Sequence, residues 1–138
     1  MNNFAIALNL GKAAYIGIWL AASYYFSRSA LTYAVKQPSL AGMKGFLQPL
    51  VQHGRVIHPY IGLAVMLLFP YHGLAMFTFY GFSLKTVAGI CTSVAGLITM
   101  ALGLTLWRNR ANMPVRLLHR RLMFLLLAAA IWHFLIKA

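Results

Sequence analysis

The sequence predicts an all-α protein, an integral membrane four-helix bundle running up-down-up-down, and three observations lead there. Its residues are 62% hydrophobic and only 9% charged, outside the range of water-soluble domains. A membrane-spanning helix takes about 20 apolar residues, so 138 residues fit four spans with short connections and a single domain, residues 1–138. Twelve Lys and Arg face no Asp or Glu, and no basic run carries the interleaved polar residues of a nucleic-acid surface. The charge reads instead as flanking charge that orients helices, so membrane lipid is the expected surrounding and nucleic acid is not an expected partner.

The first span is expected over about 4–26, where only Asn9 and Lys12 interrupt the apolar run. Lys12 either snorkels to the near interface or meets a buried anion. No basic region precedes this run and no small-residue cleavage site follows it, so it reads as a first helix rather than a removed signal peptide. Residues 27–49 turn polar, with Arg28, Lys36 and Lys44, and form the longest expected connection. In it and just after it, Leu40, Met43, Phe46, Leu47, Leu50 and Val51 partly suit a short helix on the membrane surface, where a quinone head group or a partner subunit could dock, although a simple interfacial loop is the favoured reading. The second span, about 51–80, contains Pro59, which fits a first helical turn, and Pro70, which should bend the helix near His72. His53 lies outside the pattern described below. The third span, about 84–107, carries Gly89, Gly96 and Gly103 at intervals of seven, a face for close packing. A polar turn precedes the fourth span, about 115–138.

Basic residues fall unevenly on this scheme. Arg28, Lys36, Lys44 and Arg55 gather around the first connection, and Arg108, Arg110, Arg116, Arg120 and Arg121 around the third. Only Lys12, Lys85 and Lys137 lie on the other side. The positive-inside rule then places both connections in the cytoplasm and both termini outside it, in an inner (plasma) membrane.

Two histidine ladders stand out. His58 and His72 are fourteen positions apart, as are His119 and His133, and an arginine, Arg55 or Arg116, stands three residues ahead of each ladder. Fourteen residues bring a helix back to within roughly 40° after a rise of roughly 21 Å, so each ladder faces one side. Spans two and four run parallel, which sets His58 level with His119 near the cytoplasmic face and His72 level with His133 near the outer face. Such histidines can simply hydrogen-bond between helices. The duplicated spacing, the matching direction and the shared arginine offset favour ligands instead, and two imidazoles at each level suit the axial positions of a haem iron. No carboxylate or second cysteine completes a zinc or simple iron site.

Cys91 is the sole cysteine, so there is no CxxCH attachment motif and any haem is b-type. Two haems b bring four propionates to a chain without acids. Arg55, Arg116, Arg120 and Lys12 are candidate partners for them. Gly89 and Gly103, also fourteen apart, could leave room for porphyrin edges at the two levels.

The paired H-x13-H ladders with their R-x-x-H starts resemble dihaem transmembrane cytochromes b, namely the four-helix haem-binding bundle of cytochrome b in quinol:cytochrome c oxidoreductases and ferric-reductase-like membrane domains. The likeness covers essentially the whole four-span chain. It implies that His58, His72, His119 and His133 are the axial ligands of two stacked haems b that carry electrons across the membrane, between a quinone and a partner redox protein. The chain is shorter than those relatives and lacks their additional spans, any flavin or nicotinamide motif and any acidic quinone-site residue. The expected role is therefore an electron-carrier subunit. A stand-alone oxidoreductase acting on quinol, superoxide or ferric substrates, and a non-redox anchor or transporter, are the alternatives.

Overall fold

The computed structural model describes residues 3–136, and within them four α-helices follow one another: α1 (Asn3–Lys36), α2 (Ala41–Tyr80), α3 (Leu84–Arg108) and α4 (Met113–Leu135), with a single 3-10 turn at Pro38–Leu40. No strand occurs among the described residues. The ends of the chain, including Lys137 and the last residues of the expected fourth span, lie outside the described residues.

The expected connection over 27–49 is mostly helix. Residues 27–36 contain neither Gly nor Pro, so nothing in them stops α1. The break comes at Pro38, ahead of which Gln37 is extended (φ −115°, ψ 111°), as a residue before proline prefers. From Ala41 onward α2 then runs 40 residues through Pro49, Pro59 and Pro70, so Pro59 does not mark a helix start. Each proline frees one carbonyl, which neighbouring groups can satisfy. Gly81 closes α2 at positive φ (58°), with its N–H donating to the Phe77 carbonyl. Ser83 caps α3 by accepting from the Thr86 N–H, and Asn112 caps α4 by accepting from the Val115 N–H.

Three helices, α1, α2 with its preceding turn, and α3, are long and apolar enough to cross a membrane. The fourth expected span is not among them. Helix α4 opens with Arg116, Arg120 and Arg121, so its unbroken apolar run begins only at Leu122.

The helices pair as two antiparallel hairpins. Contacts between α1 and α2 and between α3 and α4 dominate, α2 packs on α3 more lightly, and the α1 and α4 backbones approach at only a few points. Helices α2 and α4 stand on a diagonal without close backbone approach among the described residues. The core is a band of Ala14, Ile18, Ala22, Val65, Phe69, Ala95, Leu126, Leu127 and Ala130, all but Ala22 lying in sequence between the two histidine positions of their ladders or the positions that face them. Glycines let the helices close on it: a Cβ at Gly17 would meet Val65, and one at Gly96 would meet the Phe69 ring. Around this band, large apolar side chains such as Ile16, Leu67, Leu74 and Phe134 stand exposed.

A paired-histidine candidate site at two levels

The structure brings the four ladder histidines together in the pairs expected. The ring centroids of His58 and His119 lie 6.2 Å apart with their planes at 88°, and those of His72 and His133 lie 6.3 Å apart at 79°. All four are half-buried. His53 stands apart, exposed, with its Nδ1–H donating to the Pro49 carbonyl of its own helix (2.8 Å).

Each ladder histidine is held by the neighbouring helix of its own hairpin. Nδ1 of His58 meets the Ala21 carbonyl at 3.0 Å and that of His72 meets the Ala7 carbonyl at 2.8 Å, both on α1. Nδ1 of His119 meets the Thr99 carbonyl at 2.8 Å and that of His133 meets the Lys85 carbonyl at 3.1 Å, both on α3. A carbonyl can only accept, so Nδ1 carries the proton in all four rings and Nε2 keeps its lone pair on the other side of the ring. The accepting carbonyls repeat the ladder spacing: Ala7 and Ala21 are fourteen apart, and so are Lys85 and Thr99. Antiparallel partners of equal rise per residue make this necessary once one histidine of each ladder is in register.

Glycine supplies the room for these bonds. In a helix the carbonyl of residue i faces the N–H of residue i+4, so a ring that reaches that carbonyl also crowds the i+4 position. Four residues beyond Ala7, Lys85 and Thr99 stand Gly11, Gly89 and Gly103. A Cβ at Gly11 would press on the His72 ring, one at Gly89 would lie 3.0 Å from His133 Cε1, and one at Gly103 would lie 3.2 Å from His119 Cε1. The ring that Gly89 and Gly103 admit is thus the histidine's own. The position four beyond Ala21 is different: it is Tyr25. There the His58 ring lies tilted beside Tyr24 at 5.2 Å, and Gly54 makes way for Tyr24, to whose Cδ2 an added Cβ would come within 2.8 Å.

The candidate cations divide. Arg55 is exposed, one turn before His58, and Lys12 is exposed beside Gly11. Arg116 donates to the Arg110 carbonyl and so ties down the turn before α4. Arg120 donates to the Tyr25 hydroxyl at 2.7 Å and lies over the same ring at 4.9 Å. Gly11, Tyr25 and the four carbonyls are absent from the sequence-based site. Their signal was present, since folding each hairpin about its turn sets positions 7, 21, 85 and 99 opposite the histidines.

Among the described residues no group of three or more His, Cys, Asp or Glu gathers as a metal site, so each level offers two imidazoles and nothing further. No family model, curated protein or solved structure matches the chain.

Proposed function

We propose that the protein is a dihaem membrane cytochrome b that carries electrons across the bilayer, one haem b held by His58 and His119 and the other by His72 and His133. The spacing of the imidazoles carries this reading. Two in-line bonds of ~2.0 Å to a metal, plus ~1.1 Å from each nitrogen to its ring centre, would set the centroids ~6.2 Å apart. The two pairs measure 6.2 Å and 6.3 Å. Backbone carbonyls hold the opposite nitrogen of all four rings, as they commonly do for metal-ligating histidines.

When bound, the haems supply one-electron chemistry at two depths. The chain's own residues fix the imidazole tautomers, exclude water from the intervening core and separate the levels by a rise of roughly 21 Å along the helices. With an imidazole of α2 and one of α4 both taken up in holding each haem, no protein-held position would remain for substrate at the iron, which favours a carrier over a catalyst. The chain then works as a subunit linking a quinone pool to a partner redox protein, in the plasma membrane, with the His58–His119 level toward the cytoplasm.

The purified protein should show a low-spin b-type spectrum on reduction, with two haems per chain, and His72→Ala should retain one. A colourless, fully folded protein, or His72→Ala with two haems of unchanged spectrum, would sink the assignment.

A further inference from the structure

The odd corner of the site has a second property. Tyr25, which stands where the other three corners have glycine, reaches across to α4 and accepts the hydrogen bond of Arg120 (2.7 Å), the residue next to His119. Phe124, one turn further along α4, packs edge-on against Tyr25 at 5.5 Å and against Phe26 at 6.3 Å. The α1 and α4 backbones hardly touch, so this cluster closes their seam at the His58–His119 level. At the other level the seam is closed by Tyr15 stacked on Phe134 (5.2 Å), rings without charge. Two cations stand at that level outside this stack: Lys12, exposed beside Gly11 on α1, and Lys85 on α3, whose ammonium is 5.8 Å from the centre of the Tyr80 ring.

We infer that Tyr25 and Arg120 are a positioning pair: the phenol holds the guanidinium as a fixed cation beside the His58–His119 level, and that charge favours the reduced state of the haem there. The inference rests on the two-haem reading. A neutral phenol orients Arg120 without cancelling its charge, and the chain has no Asp or Glu to do so. A single fixed charge beside a redox centre in a medium of intermediate dielectric changes a one-electron equilibrium on the order of tenfold, ~59 mV.

Redox titration of the two-haem protein tests this. Arg120→Gln should lower the reduction equilibrium of one haem roughly tenfold and leave the other within about twofold. Tyr25→Phe should move the same haem in the same direction by less, and Arg120→Lys should restore most of the loss. Equal shifts of both haems, no shift at all, or a shift with Arg120→Gln that Tyr25→Phe does not share would overturn the pairing. The seam can be read without haem. Spin labels at Leu20→Cys and Leu117→Cys, in a Cys91→Ser background, should report a wider α1–α4 distance distribution in Tyr25→Phe and Arg120→Gln than in their parent. An unchanged distribution would overturn the clasp, whereas widening in the variants of a protein that binds no haem would leave the clasp standing and overturn the cytochrome reading, and with it the effect on the haem.

Discussion

The two histidine levels match in their centres and differ in their corners. The imidazole spacing agrees to within 0.1 Å between them, and every ring is anchored through Nδ1 to a carbonyl. The His72–His133 level has glycine at both corners, Gly11 and Gly89, whereas the His58–His119 level has Gly103 at one and Tyr25 at the other. What a level cannot vary is thus the distance and tautomer of its imidazoles. Its wall on the α1 side can vary, provided that a neighbour such as Gly54 yields the space.

The largest effect expected on this comparison comes from removing a ligand. His119→Ala should reduce haem stoichiometry from two to one while the His72–His133 level keeps its spectrum, since the core band of Phe69, Ala95 and Leu126 separates the levels. Loss of both haems would show that the levels do not assemble independently. A graded effect should follow from glycine-to-alanine changes at the corners. Gly11→Ala should cost the most, Gly89→Ala less and Gly103→Ala least, in the order in which the added Cβ crowds its histidine, within the ~1–3 kcal/mol typical of overpacking. Gly73→Ala is the control: it neighbours His72 in sequence but nothing lies within 4 Å of its added Cβ, so it should be neutral or stabilise by up to ~1 kcal/mol. Thermal unfolding of the four variants side by side, with haem content, checks the order. A Gly73→Ala protein as impaired as Gly11→Ala would remove the crowding argument.

Much of this was legible from periodicity. The fourteen-residue repeat of histidines needs only the helical pitch to predict two levels, and the apolar runs around Val65 and Leu126 need only a bundle to become core. The ends were less legible. Polar residues between Ser27 and Lys36 resemble a loop in composition, yet they contain no breaker, and α1 continues until Pro38 stops it. Pro59 was read as fitting a first helical turn because proline suits helix starts, whereas here one helix runs through Pro49, Pro59 and Pro70 alike. Arg120 and Tyr25 are 95 positions apart, and no local pattern links residues brought together only by the way two hairpins dock. Arg116 was read as a propionate partner from its offset to His119; its bond to the Arg110 carbonyl depends on the geometry of the turn before α4.

The smallest expected effect falls on the carbonyls, which differ between the levels in a way the histidines do not. On α3, Thr99 sits well inside the helix, with its own hydroxyl donating to the Ala95 carbonyl at 2.7 Å, while Lys85 sits in the first turn, two residues after the cap Ser83. Helix ends fray and interiors do not. The His133 anchor on Lys85 should therefore depend on the Ser83 cap, whose side chain accepts from the Thr86 N–H at 3.2 Å, and the His119 anchor on Thr99 should not. Ser83→Ala removes a cap worth ~1 kcal/mol, about a fivefold change in the local equilibrium. Haem affinity at the His72–His133 level should fall by no more than that factor and the other level should be unchanged. Hydrogen exchange at Val87 and Gly89 should quicken while that at Gly103 stays constant. Equal weakening of both levels would mean that the cap acts on the whole bundle and that the Lys85 carbonyl has no local part in holding His133.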